Sequence, residues 1–268
     1  MIANRFLQIS IAVLPILVCS PCRGMDFSLA DYPILDLSGE IRAGDAELLA
    51  KFFSLNEIRI VRIDSAGGDV AEAIRMAALI KGSHIPVGVR PRGGICASSC
   101  FFLYLAADSR LAVSANSNGK LPSDWKTHGG FVGIHRPYVK FSGSNTNLTI
   151  ERQERATRET EKYLRAQRLP QHLIDEMLSR PSNDIYWLTG KDLATIGEHS
   201  AGYSEALVAK CGYMTNSRLS EKNWSTEQEN AYIERLTDCQ IDLWNRERLP
   251  LAKQFYAKLK TGWRPWNK

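Results

Sequence analysis

Short apolar runs alternate with longer amphipathic stretches from residue 33 to residue 89. The apolar runs predict strands at residues 34–37, 58–63 and 86–89, and the helical spacing of apolar positions predicts helices at 45–53 and 70–80. Strands that alternate with helices in this way are typical of βαβ units, in which helices cover a parallel sheet. The pattern therefore predicts an α/β fold.

The remaining chain divides into a continuation of this pattern and a different C-terminal part. Residues 98–107 are almost all apolar and predict a buried helix, whereas the polar residues 114–130 predict a long surface loop of the kind that often has a function. A charged helix is expected at 149–167. We predict one domain at residues 25–208 and a charged, tryptophan-containing helical C-terminal appendage at residues 209–268.

The N-terminus has the layout of a secretory signal. Arg5 precedes an uncharged, mostly apolar segment at residues 6–18, and small residues follow at Ser20 and Gly24. The segment is too short and too interrupted for a membrane span. We expect a signal peptide at about residues 1–24 and a periplasmic or secreted protein with no stable membrane span after its removal. An uncleaved anchor is the open alternative.

Charge and cysteine content narrow the choice of partners. The 34 basic and 29 acidic side chains give a net charge of +5, which falls to +3 without residues 1–24 and is too small to indicate a nucleic-acid partner. In an exported chain, Cys211 and Cys239 are the plausible disulfide pair. We interpret Cys96 and Cys100 as small buried residues, since no histidine lies at metal-ligand spacing, and we expect no metal and no cofactor.

Three short motifs contain the candidate chemistry. Residues 64–68 (Asp-Ser-Ala-Gly-Gly) follow a predicted strand, Ser98 follows the glycines at 93–94, and His135 ends a short apolar run. A serine hydroxyl becomes nucleophilic when an imidazole accepts its proton, and a glycine turn can offer a backbone N–H to an oxyanion. Ser98 is therefore the candidate nucleophile and His135 the candidate base.

These three motifs, in this order, resemble those of the Clp protease proteolytic subunit of the Clp/crotonase superfamily, and more narrowly its exported relatives. The resemblance spans residues 34–197, about three fifths of the chain. It implies a Clp/crotonase-like spiral of βαβ units and assembly into homo-oligomers. It further implies that Ser98 is the nucleophile, that His135 is the general base, and that the backbone N–H groups of Gly68 and Ser99 form the oxyanion hole.

The third catalytic residue of that family is an aspartate about fifty residues after the histidine. Asp184 is the nearest match in this chain, one position out of register, and Asp192 is expected only to begin a helix. With Asp184 holding the imidazole in one tautomer, the three residues would form a Ser-His-Asp triad. The other histidines, His84, His128, His172 and His199, are interpreted as surface residues.

The predicted function is that of an exported, ATP-independent serine peptidase. It would cleave peptides or accessible protein segments through an acyl-enzyme intermediate. Three alternatives stay open: a serine–lysine peptidase with Lys162 or Lys191 as the base, a non-catalytic scaffold that binds a protein partner, and, least attractive, an acyl-CoA enzyme of the crotonase branch.

Overall fold

The computed structural model describes residues 24–138 and 146–267, so the predicted signal peptide lies almost wholly outside the described residues. Within these ranges the strands are β1 (Asp26–Ser28), β2 (Ile34–Ser38), β3 (Ile60–Asp64), β4 (Val87–Val89), β5 (Ile95–Ala97), β6 (Arg110–Leu111), β7 (Phe131–Ile134) and β8 (Tyr186–Trp187). The helices are α1 (Asp45–Leu55), α2 (Val70–Ser83), α3 (Cys100–Ala106), α4 (Thr146–Ala166), α5 (Gln171–Ser179), α6 (Gly190–Ile196), α7 (Ala201–Cys211), α8 (Asn216–Ser220), α9 (Thr226–Leu243) and α10 (Leu249–Lys260).

The first sheet has five strands in the order β1-β2-β3-β4-β6. Strands β2, β3, β4 and β6 are parallel, and β1 adds an antiparallel edge. Helix α1 covers this sheet with Ala46, Leu49, Ala50 and Phe53, all buried at the spacing of one helix face. The prediction of an α/β fold built on parallel strands is confirmed.

A second, smaller sheet has the order β5-β7-β8. Strands β5 and β7 are parallel, with Ala97 opposite Gly133, and β8 is antiparallel to β7. An isolated parallel bridge between Ser65 and Cys96 joins the end of β3 to β5. The two sheets therefore meet where the glycine turn after β3 lies beside the serine segment.

Two local features differ from the prediction. The expected helix at 98–107 begins only at Cys100, because β5 occupies residues 95–97 and Ser98 adopts a left-handed backbone conformation with φ 58°. Strands β1, β5, β6 and β8 are absent from the prediction, since strands of two or three residues give too little pattern. The predicted loop at 114–130 is confirmed, because its backbone forms only turns and isolated bridges to neighbouring segments.

The C-terminal part is helical, with a π-helical turn at Trp244–Arg248 between α9 and α10. The predicted disulfide between Cys211 and Cys239 is present and joins α7 to α9. The predicted boundary at 208/209 falls inside α7. Helix α10 returns to the main core, where the rings of Tyr256 and Phe53 lie 5.5 Å apart. In the described residues no helix is long and apolar enough to cross a membrane.

Candidate active site

Ser98 lies at a sharp turn between β5 and α3. It is 8% exposed, its φ of 58° is unusual for a residue with a side chain, and its N–H donates to the carbonyl oxygen of Gly133 at 3.0 Å. A left-handed conformation costs about 1–2 kcal/mol in a non-glycine residue, and such strained positions cluster at active sites. Ser98 is therefore held in an unfavourable conformation by its surroundings.

The glycine turn after β3 packs directly against Ser98. The Ser65 N–H donates to the Ile95 carbonyl at 2.7 Å and the Ala97 N–H donates to the Ser65 carbonyl at 2.9 Å, which fixes the turn on β5. Gly67 has φ 94°, and a Cβ at this position would lie 2.7 Å from both Ser98 Cβ and the Ala97 carbonyl oxygen. Only glycine fits here, for conformational and steric reasons together.

Gly68 contacts the second serine of the motif. Its N–H donates to Ser99 Oγ at 2.8 Å, and the Ser99 hydroxyl donates back to the Gly68 carbonyl at 3.1 Å. The motif predicts that Gly68 directs its N–H to an oxyanion, and in this structure the Ser99 side chain occupies that donor. The contact brings the two predicted oxyanion residues together, but the Gly68 N–H is already hydrogen-bonded to Ser99.

His135 directly follows β7, the strand beside β5. Because Ala97 is opposite Gly133 in parallel register, Ser98 and His135 both emerge at the carboxyl ends of neighbouring strands. Parallel neighbours lie about 4.8 Å apart. The fold thus brings the two residues to one edge, although no hydrogen bond joins their side chains within the described chain, where Ser98 Oγ has no hydrogen-bond partner. Catalytic hydrogen bonds are often long in free enzymes.

The contacts of His135 define its protonation. Nδ1 lies 2.8 Å from the Arg136 carbonyl oxygen, and since a carbonyl can only accept, Nδ1 carries the proton and Nε2 has its lone pair free. The residue is 4% exposed, and burial lowers the pKa of its imidazole below the ordinary value of 6.5, against the opposing effect of the Arg136 contact. A neutral imidazole with an unprotonated Nε2 is the form that a general base needs.

Asp184 does not contact the imidazole. Its Oδ2 accepts a hydrogen bond from Arg180 Nη1 at 2.8 Å, and its side chain is 53% exposed. The partner of His135 Nδ1 is instead a backbone carbonyl, which no residue type in the sequence reveals. Asp192 begins α6 as expected: it forms a capping box with Thr189 and accepts a hydrogen bond from the Tyr186 hydroxyl.

The interpretation of Cys96 and Cys100 as simple buried residues is wrong, because they form a disulfide. The bond joins the middle of β5 to the first residue of α3, so it spans Ser98, and both cysteines are fully buried. An even number of cysteines beyond residue 24 was the available signal.

Two other histidines also differ from the prediction of surface residues. His84 Nδ1 lies 3.0 Å from Asp108 Oδ2, and His199 Nδ1 lies 2.9 Å from Ser109 Oγ. Burial lowers the pKa of His199. These contacts lie where the appendage meets the core, and among the described residues no group of histidine, cysteine and carboxylate side chains is arranged to hold a metal ion.

No protein-family model and no curated protein matches the chain. Solved structures are similar to it. ClpP1 from Listeria monocytogenes shares 22% identity over 62% of this chain and 88% of its own, with a TM-score of 0.40. A variant of the same ClpP1 shares 18% identity over 62% of this chain and 88% of its own, with a TM-score of 0.41.

A variant of the 1510-N membrane-bound stomatin-specific protease shares 15% identity over 67% of this chain and 84% of its own, with a TM-score of 0.43. All three similarities have identities below 25% and TM-scores below 0.5. At such identities and TM-scores no residue role or activity follows from them.

Proposed function

We propose that this protein is a serine peptidase in which Ser98 and His135 act as a catalytic dyad. One observation carries the proposal: a strained serine and a neutral, buried histidine emerge side by side from the parallel strands β5 and β7, under a glycine turn. The strain at Ser98 has a ready explanation if the turn serves to present a nucleophile. The Arg136 carbonyl takes the place predicted for Asp184, because it fixes the imidazole tautomer.

The reaction begins when His135 Nε2 accepts the proton of Ser98 Oγ as the oxygen attacks a substrate carbonyl. The Arg136 carbonyl oxygen stabilises the N–H of the resulting imidazolium, although less strongly than a carboxylate would. His135 then donates the proton to the leaving amine, which releases the first product and leaves an acyl group on Ser98. Water, deprotonated by His135, hydrolyses this ester and restores the enzyme.

The tetrahedral oxyanion needs backbone donors near Ser98. In the proposed mechanism these are the N–H groups of Gly68 and Ser99. Because Ser99 Oγ occupies the Gly68 donor in the free protein, its side chain must rotate away when substrate binds. Removing one such donor costs about 10²–10³ in rate in comparable enzymes, so release of the Gly68 N–H is part of the mechanism.

Histidine is favoured over lysine as the base. Lys162 on α4 and Lys191 on α6 are both exposed, whereas a lysine acting as a base at neutral pH needs burial to lower its pKa. The acyl-CoA alternative gives no role to the paired Ser98 and His135. The scaffold alternative predicts that neither residue matters for activity, and substitution of each residue separates it from the peptidase.

We further propose that the protein is exported to the periplasm or secreted, acts without ATP or cofactor on peptides and accessible protein segments, and forms homo-oligomers. Support for export comes from the layout of residues 1–24 and from two disulfides, which persist in oxidising compartments. The proposal of oligomers rests on the family resemblance of the motifs.

Hydrolysis of an unstructured protein such as casein tests the proposed function. Wild-type protein should release peptides, and Ser98→Ala and His135→Ala should each lower kcat by at least about 10³-fold. Ser54→Ala on α1 and His172→Ala at an exposed position of α5 lie outside the site, so these matched controls should retain full activity. Unchanged hydrolysis by folded Ser98→Ala protein would refute the proposal.

A further inference from the structure

We infer that the Cys96–Cys100 disulfide is a positioning element for Ser98, and that the protein gains activity only when this bond has formed. The inference rests on the proposed function, since it assigns the bond to the presentation of the nucleophile. The Cys211–Cys239 disulfide, which lies in the appendage, has no such role.

The disulfide closes the turn that contains the nucleophile. Cys96 belongs to β5 and Cys100 opens α3, and their Cα atoms are 5.3 Å apart, whereas four extended residues span about 13 Å. Between them, Ala97 ends the strand, Ser98 is left-handed and Ser99 is in the right-handed helical region. The bond therefore fixes the distance between the strand that carries Ser98 and the helix that follows it.

The noncovalent contacts of this turn act mainly on its two sides. The Ser98 N–H bonds to the Gly133 carbonyl on the β7 side, and the Ser99 hydroxyl bonds to Gly68 on the glycine-turn side. The Phe101 N–H also donates to the Ser98 carbonyl at 3.0 Å, within the turn that begins α3. This contact starts at Ser98 itself, so none of the three contacts joins β5 to α3 across Ser98. Without the disulfide, the left-handed conformation of Ser98 can relax, and a displacement of about 1 Å is enough to lower a catalytic rate by about 10²-fold.

The position of the bond favours a local role over a general stabilising role. The entropic stabilisation that a disulfide contributes increases with the length of the loop it closes, and Cys96 and Cys100 are only four residues apart. Both sulfur atoms belong to fully buried residues in the main core. A cross-link that contributes less to global stability than the Cys211–Cys239 bond and that spans the strained serine is placed to fix geometry.

Formation of this bond requires thiol–disulfide exchange with an external disulfide, either a protein disulfide or a small one such as oxidised glutathione. The Cys96 thiolate attacks one sulfur and releases a thiolate, and the Cys100 thiolate then displaces the second from Cys96. The two cysteines lose two electrons and two protons, and the external disulfide leaves as two thiols. In a reducing cytosol the bond does not persist, so the chain would stay inactive until export.

Two double variants, each lacking one disulfide, are compared to test the inference. We expect Cys96→Ala/Cys100→Ala to react with a fluorophosphonate probe at least about tenfold more slowly than wild type, and to lose kcat on casein with KM nearly unchanged. Cys211→Ala/Cys239→Ala is the matched control and should react at the wild-type rate. Circular dichroism and thermal unfolding establish that each variant is folded.

A folded Cys96→Ala/Cys100→Ala variant that reacts at the wild-type rate would overturn the inference. If that variant does not fold, the test uses the Cys211→Ala/Cys239→Ala protein, which keeps only the Cys96–Cys100 bond among residues 25–268. This protein is reduced with a phosphine, and its free thiols are counted by alkylation and mass spectrometry. Probe labelling should fall as thiols appear and return with oxidised glutathione. Unchanged labelling with both thiols free would also overturn it. An unreactive wild type instead refutes the proposed function.

Discussion

The turn around Ser98 and the C-terminal appendage are both closed by a disulfide, yet the two regions are organised differently. Around Ser98, the backbone of three segments is in direct contact, and a single added methyl group at Gly67 has no space. The appendage shares a small cluster with the first part of α7, in which Tyr203, Leu207, Cys211 and Leu243 are buried together. It attaches to the core by side chains. The geometry of the site depends on the placement of its backbone, whereas the stability of the appendage depends on the burial of its side chains.

The attachment of the appendage shows what this difference means. Helix α10 packs on the core through Tyr256, whose hydroxyl donates to the Ile58 carbonyl at 3.2 Å, and Trp244 Nε1 donates to the His84 carbonyl at 3.3 Å. These contacts are made by the ends of long side chains, which can change conformation to follow a small shift of the backbone. Small backbone changes should therefore be severe at the site and mild in the appendage.

Matched glycine substitutions give the largest expected contrast. Gly67→Ala places a methyl group 2.7 Å from Ser98 Cβ and the Ala97 oxygen, so it should lower kcat/KM by at least about 10²-fold. Gly212→Ala, after α7, is also left-handed with φ 66° but has nothing within 4 Å of the new atom. It should cost about 1 kcal/mol of stability and leave activity unchanged. Peptidase assays and thermal unfolding check both, and equal activities would remove the contrast.

Loss of the appendage disulfide should separate stability from activity. Its 28-residue separation corresponds to about 3.5 kcal/mol of entropic stabilisation, against about 2 kcal/mol for a separation of four. Cys211→Ala/Cys239→Ala should therefore lower the free energy of unfolding by up to about 3.5 kcal/mol with kcat/KM retained. Denaturant unfolding alongside casein hydrolysis measures the two effects. A parallel loss of activity would mean that the appendage shapes the site.

The pH dependence should distinguish His135 at the site from His199, which lies where the core meets the appendage. Burial lowers the pKa of both His135 and His199, so His135 stays neutral and active as a base below pH 6.5. The acid limb of kcat/KM should thus have its midpoint below 6.5. His199→Gln should leave that limb in place, because His199 contacts Ser109 and not the site. A wild-type midpoint above 6.5 would contradict the burial argument.

Stability should depend on pH in the same direction. A histidine whose pKa is lowered by desolvation binds its proton less readily in the folded protein than in the unfolded chain, so both histidines reduce stability as the pH falls below 6.5. His199→Gln should flatten the acid side of the stability curve without changing the acid limb of activity. Thermal unfolding between pH 5 and pH 8 measures this.

The smallest effect is expected at Asp184. Its carboxylate pairs with Arg180 on the surface, and the Arg136 carbonyl already fixes the His135 tautomer. Exposed ion pairs contribute about 0–1 kcal/mol, so Asp184→Asn should change kcat by less than about threefold. A loss of about 10²-fold or more in steady-state assays would show that Asp184 reaches the imidazole during catalysis, as the family resemblance implied.

Sequence reasoning succeeded where side-chain pattern determines structure. Apolar runs identified β2, β3 and β4, and the spacing of Ala46, Leu49 and Phe53 identified α1, because burial of these residues is what forms the elements. Glycine at 67 was recognised as a turn, and the Cys211–Cys239 pair followed from its position in an expected export context.

The finer features of the site were missed for a physical reason. The Arg136 carbonyl that binds His135 is a backbone atom present in every residue, so no letter of the sequence marks it. The hydrogen bond between Ser99 and Gly68 joins residues that are 31 positions apart. A serine hydroxyl can form such a bond with many backbone groups, so the sequence does not indicate which one it contacts. The Cys96–Cys100 bond was missed because the prediction contained no strand at 95–97 and gave no sign that a left-handed Ser98 separates β5 from α3.

Peptide mapping of the protein after reaction with a fluorophosphonate tests the central claim most directly. The reagent forms a covalent bond only with an activated serine, and the adduct can be located by mass spectrometry at a single residue. The account predicts one adduct, on Ser98, which is lost in His135→Ala and retained in His172→Ala. An adduct on Ser99, or no adduct on folded wild-type protein, would contradict it.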